Sequence, residues 1–343
     1  MVKMSEVAQL AKVSTSTVSR VLSNAPYIAE ETRQRVLEAV KALNYRTNRL
    51  ASNFRKRSSK TVVVVLPDIT NVFFSKIVQG FQKVARESDY HVLLGDTGNS
   101  LQVEKEFIDL VKERFVDGLI LTTARVPKEE IEAISQVMPV VLACEYLQGY
   151  DIPTVSIDNI GAAQEATEHL IKLGHKRIGF ITGPLSIILS RDRLKGYRQA
   201  MLSNEIFVDE SLIQEGDFTV ESGYSITMKL LTANSLPTAI VASNDEMAVG
   251  AMKAIKKTGL RIPEDVAVIG FDDIPLCTLV EPELTTIAQP KYDIGCQAME
   301  LLLKIITGGF LESRQIVLPH KLQIRQSCGY NISVQNAPRH LKV

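Results

Sequence analysis

From residue 61 onward the sequence alternates between short apolar runs and longer amphipathic segments. The first run reads TVVVVL and is followed by Pro67, which is typical of a strand buried on both faces of a parallel sheet. Apolar runs predict strands at residues 61–66, 91–95, 118–122, 140–143, 177–182, 239–242 and 266–270. Helical periodicity predicts helices at residues 73–87, 103–114, 161–173, 193–203, 221–232 and 246–257.

The alternation comes in two successive blocks, which favours two doubly wound α/β lobes with a ligand cleft where the strand ends converge. A late helix at residues 294–307 and a strand at 316–322 are expected to return to the first lobe. One domain is predicted at 61–330, followed by a loose polar tail at 331–343. Within this domain, the first lobe comprises about 61–159 and 290–322, and the second lobe comprises about 160–289.

The composition excludes several classes of protein. With 45% hydrophobic and 23% charged residues, the chain has the balance of a globular protein and not of a disordered one. Its apolar runs are much shorter than the roughly 18 residues of a membrane span, and no signal peptide is visible at the N-terminus. We therefore expect a cytoplasmic protein without a membrane partner. The four cysteines form no C-x-x-C pair and the five histidines no H-x-x-x-H pair, so neither a metal site nor a cofactor is expected.

Charge is distributed unevenly along the chain, although the net charge is zero. Residues 1–60 contain 12 Lys or Arg and 4 Asp or Glu, whereas the remainder contains 27 basic and 35 acidic residues. A basic segment attached to an acidic body is typical of a chain whose first part contacts a polyanion. A solvated basic tail is equally compatible with charge alone, so the residue pattern inside the segment has to decide.

Three short helices are predicted within the first 46 residues. The first, at about residues 5–11, has an apolar face formed by Val7, Ala8, Leu10 and Ala11. The break at Lys12-Val13 is followed by Ser14, which is a good N-cap for a second helix.

The second helix, at about residues 15–22, has a packing face and a polar face. Val18, Val21 and Leu22 form the packing face. Thr15, Ser16, Ser19 and Arg20 form the other face. Small hydroxyl side chains contact base edges or phosphates, and an arginine binds guanine through two hydrogen bonds.

A third helix, at about residues 30–43, completes the pattern. Its inward positions are Val36, Leu37, Val40 and Leu43. Three helices with a tight break before the second indicate a helix-turn-helix unit. An unrelated three-helix bundle is the alternative, and the basic charge of the segment favours the first interpretation.

The string VAQLAKVSTSTVSRVL, residues 7–22, closely resembles the headpiece of the lactose/galactose repressor (LacI/GalR) family, and the resemblance continues to Asn48. It implies that residues 1–46 bind DNA and that Thr15, Ser16 and Arg20 read bases in the major groove. It also implies phosphate contacts, which give register but not sequence, from Ser14, Thr17, Ser19, Tyr27 and Asn48.

Residues 47–60 correspond to the segment that folds into a hinge helix on DNA in this family, with a leucine wedge in the minor groove. Here Phe54 occupies the wedge position, close to Ala51, and Thr47 replaces the proline that usually precedes Asn48. A phenylalanine is able to intercalate, but its ring is wider and flat. The alternative is a basic flexible tether that only touches phosphates.

Polar and aromatic side chains follow several predicted strands, where a cleft would form. Aromatic rings stack on sugars or bases, carboxylates and amides bond to hydroxyls, and arginine bridges two oxygens. Each such residue alone is as readily a cap or loop residue, and Asp68 and Asp158 are interpreted as caps. No dinucleotide fingerprint, P-loop lysine or nucleophile elbow is present, so an enzyme is not expected.

Several motifs in this region, among them NVFF at 71–74, SNDEMA at 243–248 and GFDD at 270–273, are similar to the effector domain of the same family. That domain resembles periplasmic ribose-binding proteins, and the resemblance covers residues 4 to about 329. It implies an effector pocket lined by Asn71, Phe73, Phe74, Arg193, Asn244, Asp272 and Gln289.

Further stretches, such as GDFT at 216–219, are similar to the cytidine-responsive branch of the family. Cys144-Glu145 replaces the Asp-Arg pair of ribose binders, and Glu145 agrees with the nucleoside-responsive branch. Asn244 agrees better with ribose binders. The effector implied by the resemblance is therefore a pentose or a nucleoside.

The sequence thus predicts a repressor with a helix-turn-helix headpiece followed by a two-lobed, periplasmic-binding-protein-like, doubly wound α/β domain. We expect a homodimer on a near-palindromic double-stranded operator, because a two-fold protein needs a two-fold site. An effector between the lobes would change operator affinity. Release by the ligand is the default expectation, and corepression stays open. The alternatives are a sugar- or nucleoside-binding protein without a DNA role and an enzyme on the same fold.

Overall fold

The computed structural model describes residues 2–22, 25–45, 58–112, 115–232 and 236–329. The chain divides into two compact units between Lys60 and Thr61. In the described residues, no helix is long and apolar enough to cross a membrane.

In its described residues, the first unit is built from three helices around a small core. The helices are α1 (Met4–Leu10), α2 (Thr15–Leu22) and α3 (Glu30–Ala42). The break after α1 occurs where Lys12 adopts a left-handed backbone with φ 52°. The core consists of small and β-branched side chains, namely Val7, Ala8, Ala11, Val18, Val21, Val36 and Ala39.

The three predicted helices of this unit are confirmed, but two predicted core residues were wrong. Leu10 is 51% exposed and Leu37 is 49% exposed. Leu37 lies about 100° around the helix from the buried Val36, and Ala39 faces inward in its place. Short helices that pack closely leave room for small side chains at their contacts. A prediction from hydrophobicity alone therefore placed Leu37 in the core, where the structure has Ala39.

The second unit contains two six-stranded sheets with helices packed on them. Its strands are β1 (Thr61–Leu66), β2 (His91–Asp96), β3 (Gly118–Leu121), β4 (Val140–Ala143), β5 (Thr154–Ile157), β6 (Ile178–Thr182), β7 (Ile213–Glu215), β8 (Ala239–Ala242), β9 (Ala267–Asp272), β10 (Thr285–Ala288), β11 (Gln315–Leu318) and β12 (Lys321–Gln323). Its α-helices are α4 (Val72–Glu87), α5 (Leu101–Lys112), α6 (Lys128–Ser135), α7 (Asn159–Lys172), α8 (Ile188–Ser203), α9 (Val220–Leu230), α10 (Asp245–Lys257) and α11 (Lys291–Ile306).

The first sheet has the strand order β11-β5-β4-β3-β1-β2, and all its pairings are parallel. In β1 every residue after the first is buried, because helices cover both faces of a parallel sheet. The helix α11 packs against α4 and against this sheet. The late helix therefore returns to the first lobe.

The second sheet has the order β12-β10-β9-β8-β6-β7, and only its edge strand β12 runs antiparallel. The helix α7 packs against α8 and against this sheet. Within the described part of residues 61–329, the chain therefore crosses between lobes three times: from β5 to α7, from β10 to α11, and from β11 to β12.

Three details of the predicted pattern were wrong. The single strand expected at 316–322 is two strands in different sheets, because Pro319 between them cannot donate to a ladder. The strands β5 and β7 and the helix α6 were missed, since each is only three to eight residues long. The helix expected to open at Arg193 begins at Ile188.

Glycines allow two helices of the first lobe to touch. A Cβ on Gly80 of α4 would lie 2.3 Å from the carbonyl oxygen of Tyr292, and one on Gly295 of α11 would lie 2.1 Å from that of Ile77. Backbone therefore meets backbone at this crossing. The contact fixes α11 on the first sheet directly after the chain crosses from the second lobe.

Candidate nucleic-acid interface and effector cleft

Ser14 caps the helix α2, as the sequence predicted. Its Oγ accepts a hydrogen bond of 3.1 Å from the backbone N–H of Thr17. The same oxygen lies 2.7 Å from Ser16 Oγ and 2.9 Å from Thr17 Oγ1. The cap satisfies a backbone donor of the first turn, and it places three hydroxyl groups next to one another at the start of the helix.

The side chains predicted to read bases lie on the solvent side of α2. Thr15, Ser16 and Arg20 are exposed, whereas Val18 and Val21 on the other side are buried. A helix with such a low-relief polar face is able to enter the major groove, which admits one helix.

The residues predicted to contact phosphates are described only in part. Thr17 and Ser19 are half-buried on α2, and Tyr27 is fully exposed with a left-handed φ of 67°. The remaining predicted contacts, Asn48, Ala51 and Phe54, lie outside the described residues. The hinge and its wedge therefore stay a prediction.

Five non-glycine residues with left-handed backbone lie at or shortly after strand ends of the two lobes. They are Asn99 after β2 (φ 62°), Cys144 after β4 (φ 73°), Phe218 after β7 (φ 71°), Asp272 at the end of β9 (φ 117°) and the adjacent Asp273 (φ 56°). Each such conformation costs of order 1–3 kcal/mol and persists only where the surroundings hold it, commonly at ligand sites. The strain marks the carboxyl ends of the strands as the candidate cleft.

Arg193 is the centre of this cleft. The residue is 4% exposed, and its guanidinium stacks on the Phe271 ring, with 3.7 Å from Cζ to the ring centroid. Nε donates a 2.9 Å hydrogen bond to Asn159 Oδ1, and a terminal nitrogen donates to the carbonyl of Ser243. The same nitrogen lies 3.9 Å from Asp272 Oδ1.

Asp272 is held by residues of the second crossing segment. Gln289 Nε2 donates a 2.7 Å hydrogen bond to Asp272 Oδ1, and Lys291 Nζ donates to the backbone carbonyls of Asp272 and Asp273. Burial raises the pKa of Asp272 to about 6, and the charges of Arg193 and Lys291 oppose this rise. Burial lowers the pKa of Arg193, and Asp272 opposes that change. Each charge therefore opposes the effect of burial on the pKa of the other group. Together the two side chains present a hydrogen-bond donor next to an acceptor.

Both polar atoms of the Asn244 side chain form hydrogen bonds within the protein. Its Oδ1 caps α10 by accepting a 3.0 Å hydrogen bond from the N–H of Met247, and its Nδ2 donates to the carbonyl of Phe218 at 2.9 Å. The ring of Phe218 lies against Gly183, where a Cβ would meet it at 2.1 Å. Asn244 thus joins the ends of β7 and β8.

Glu145 brings a carboxylate from the first lobe to the same region. It is 4% exposed, accepts a 3.3 Å hydrogen bond from the N–H of Ala124 and lies 3.5 Å from Arg125. Burial raises the pKa of Glu145. Its charge also acts on Arg193, so Glu145 is close enough to the second-lobe network to share its electrostatics.

Asn71, Phe73 and Phe74 lie at the start of α4, which follows β1 in the first lobe. Asn71 caps α4 by accepting a 2.9 Å hydrogen bond from the N–H of Phe73. The two rings meet edge to face, with centroids 5.0 Å apart, and both are at most 9% exposed. In the described residues, the structure does not join these three side chains to the Arg193 network by a hydrogen bond or ion pair.

Several residues of the site were missed from the sequence. Asn159 and Ser243 bond to Arg193, and Phe271 stacks on it. Asp245 is 1% exposed and accepts from the Thr286 hydroxyl at 2.5 Å and from the N–H of Ile274 at 2.9 Å. Unlike the other three, Asp245 is expected from the sequence, because it follows β8 beside Asn244 at a strand end where polar residues fit a cleft.

Two buried hydroxyls complete the region. The side-chain oxygens of Ser190 and Ser243 have no hydrogen-bond partner within the described part of the protein. Ser190 lies on α8 one turn before Arg193, and Ser243 follows β8. A separate cavity of about 620 Å³ contains none of the predicted site residues and is lined instead by residues such as Pro139, Pro153 and Phe310.

Two family profiles match the chain. Residues 3–48 match the bacterial regulatory proteins of the lacI family, and residues 59–326 match the periplasmic binding proteins and sugar binding domain of the LacI family. The chain belongs to the LacI family.

Relatives of this LacI-family protein match it over nearly its whole length. The HTH-type transcriptional repressor CytR of Escherichia coli strain K12 is 42% identical over 325 residues, 94% of this chain and 95% of the relative. Catabolite control protein A of Priestia megaterium is 37% identical, over 94% and 98% of the two chains. The lac repressor dimer bound to operator and the anti-inducer ONPF has a TM-score of 0.86 at 29% identity, covering 95% of this chain and 99% of that one.

These matches confirm the predicted family and fold: a helix-turn-helix unit followed by a two-lobed α/β domain with parallel sheets. They also show the function class. The LacI-family protein is a DNA-binding transcriptional repressor, and its relatives are repressors and not enzymes.

Proposed function

We propose that α2 binds operator DNA and that a small effector, bound between the lobes, changes the operator affinity. The observation that carries this proposal is the Arg193–Asp272–Gln289 network, which is buried at the strand ends of the second lobe in a chain that also carries an exposed polar recognition helix. The segments in this proposal are the headpiece at 1–46, the hinge at 47–60, the effector-binding domain at 61–330 with lobes at about 61–159 plus 290–322 and about 160–289, and the tail at 331–343.

On the DNA side, Thr15, Ser16 and Arg20 read base edges, and the hydroxyl row that begins at Ser14 contacts phosphate. Exposure of the first three and the cap at Ser14 support these roles. The further phosphate contacts in this proposal are Thr17, Ser19, Tyr27 and Asn48, and Ala51 and Phe54 approach the minor groove.

On the effector side, the ligand is a pentose or a nucleoside. Adjacent hydroxyls of a ribose ring suit a carboxylate acceptor and a guanidinium donor held side by side, which Asp272 and Arg193 provide. The name of one relative fits this class: the ribose operon repressor of Halalkalibacterium halodurans, which is 35% identical over 332 residues. Asn244, Gln289 and Glu145 complete the pocket from both lobes, with Asn71, Phe73 and Phe74 at its first-lobe wall.

The protein acts as a homodimer in the cytoplasm, where its operator is a near-palindrome. The exposed edge strand β2 supports a dimer, because Leu93 is 54% exposed and Leu94 is 37% exposed. An edge strand with apolar side chains is a surface that natural proteins cover, and a second copy of this chain would cover it. Two headpieces then face two half-sites.

Calorimetry of the purified protein with ribose, adenosine and cytidine tests the effector class. We expect one of these compounds to bind the wild type and to bind Arg193→Ala at least about tenfold more weakly, because the variant loses a buried charged donor. Equal binding to both proteins would contradict the assigned pocket. A ligand-binding protein without a DNA role would bind the compound but show no salt-dependent, sequence-dependent DNA binding.

A further inference from the structure

Tyr146 of the first lobe donates a hydrogen bond of 2.9 Å from its hydroxyl to Asp192 Oδ2 of the second lobe. Tyr146 follows Glu145 in the loop after β4, a strand of the first sheet. Asp192 precedes Arg193 on α8, which packs on α7 and β6 of the second lobe. The bond therefore joins the two lobes outside the three crossing segments.

We propose that Tyr146 and Asp192 form a latch that positions the lobes around the effector and thereby sets the effector affinity. This inference rests on the proposed function, in which the ligand lies between the lobes. Each partner is the sequence neighbour of a charged cleft residue, so the bond forms only when the Glu145 loop and α8 approach each other. The bond stabilises the lobe arrangement of this structure independently of any ligand contact.

The partly buried surroundings of Tyr146 and Asp192 strengthen the hydrogen bond between them. Both side chains are half-buried, and burial is the main cause that raises the pKa of Tyr146 to about 12 and also raises the pKa of Asp192. A hydrogen bond from a neutral hydroxyl to a partly desolvated carboxylate is stronger than one in water. Its loss shifts the balance of the lobes toward separation.

A matched control exists in the same loop. The Tyr150 hydroxyl donates a 3.0 Å hydrogen bond to Glu129 Oε1, and Glu129 lies on α6, so this bond stays within the first lobe. Tyr150→Phe removes the same chemical group four residues away without touching the lobe interface. Tyr146→Phe and Tyr150→Phe therefore differ in whether the lost bond crosses between lobes.

The first readout is the distance between lobes in the full-length protein without ligand or DNA. Spin labels at Gln102→Cys and Lys229→Cys, both exposed positions, in a Cys296→Ser background report one distance per chain when labelled protein is diluted into unlabelled protein. We expect Tyr146→Phe to lengthen this distance or broaden its distribution, and Tyr150→Phe to leave it unchanged. An unchanged distribution in Tyr146→Phe would overturn the latch.

The second readout is the affinity for ribose, adenosine and cytidine by calorimetry. Tyr146→Phe should weaken binding of the compound that the wild type accepts by about three- to tenfold, and Asp192→Ala should do the same. The double variant should be no weaker than either single variant, because both remove one bond. Additive losses would contradict a shared bond. If no compound binds the wild type, the proposed effector class fails, and the spin-label distances still decide the latch.

Discussion

The Gln289 side chain donates a 2.7 Å hydrogen bond to Asp272, and this bond connects a segment that crosses between the lobes to a charged group of the cleft. On the other side of the same network, Arg193 donates to Asn159, the first residue of α7 after the first crossing. Two of the three crossing segments are therefore bonded to one buried charge pair. In the proposed function, a ligand that engaged Arg193 or Asp272 would therefore act directly on two segments that connect the lobes.

Replacing the cleft carboxylate should separate the two activities of the repressor. We expect Asp272→Ala to bind operator DNA with unchanged affinity in the absence of effector and to lose the response to effector, because the headpiece is a separate compact unit. Operator binding by fluorescence anisotropy, with and without effector, measures both. Asp265→Ala, which removes the ion pair with Arg261 and a hydrogen bond from the Arg261 backbone N–H, is the control. A retained response in Asp272→Ala would show that the pocket lies elsewhere.

Loss of the recognition arginine should weaken and relax DNA binding. Arg20→Ala should cost about 1–3 kcal/mol of operator binding and reduce discrimination at one base position, because a guanidinium that reads a base specifies it. Binding to an operator library measures both effects. Arg261→Ala removes an equal charge from an exposed site in the second unit and should change neither. The assigned role fails if the base preferences of Arg20→Ala match those of the wild type.

The cap of α2 should contribute measurably to the headpiece. Ser14→Ala removes the acceptor for the N–H of Thr17 and should destabilise the helix by about 1 kcal/mol. Hydrogen exchange of the full-length protein should show faster exchange in α2 and no change in the second unit. Ser14→Asn, which keeps a capping oxygen, should retain most of the protection. Equal protection in Ser14→Ala would mean that the cap is dispensable.

Asp245 should make the stability of the second unit depend on pH. Burial, with help from the nearby Asp272 charge, raises the pKa of Asp245 from 3.8 to about 7. A raised pKa means that the folded state holds the proton more tightly than the unfolded state, so this contribution is complete below about pH 4 and is lost as the pH rises to about 7.

The comparison of Asp245→Asn with the wild type isolates that effect. The variant cannot ionise, and we expect its free energy of unfolding to change less between pH 5 and pH 8 than that of the wild type, measured by urea unfolding. An identical pH dependence in both proteins would show that Asp245 ionises in the folded state as easily as in water.

The elements with strong periodicity were predictable from sequence. The continuous β-branched run predicted β1, and the separation of a packing face from a small polar face predicted α2. Both patterns reflect which faces of the element are buried. The short strand β5 was not predictable, since a stretch of four residues has no period. The split of β11 from β12 depends on tertiary pairing with two different sheets, which local sequence does not encode.

The polar and charged residues of the cleft were predictable from the sequence, but the contacts between them were not. Arg193, Asp272 and Gln289 were selected one by one, and the structure joins them. Asn159 and Phe271 were not selected, because an asparagine at a helix start and a phenylalanine in a strand are ordinary in sequence. Their contacts with Arg193 arise because the start of α7, the first half of α8 and the end of β9 meet in space.

The most direct test of the account is the operator affinity of the full-length wild type, measured by fluorescence anisotropy with no effector and with an effector whose binding calorimetry has established. Typical coupling between two sites changes affinity about 5- to 150-fold, and we expect a change of at least about tenfold that is absent in Asp272→Ala. The same operator affinity with the cleft empty and with the cleft saturated would contradict the claim that the two lobes control the headpiece.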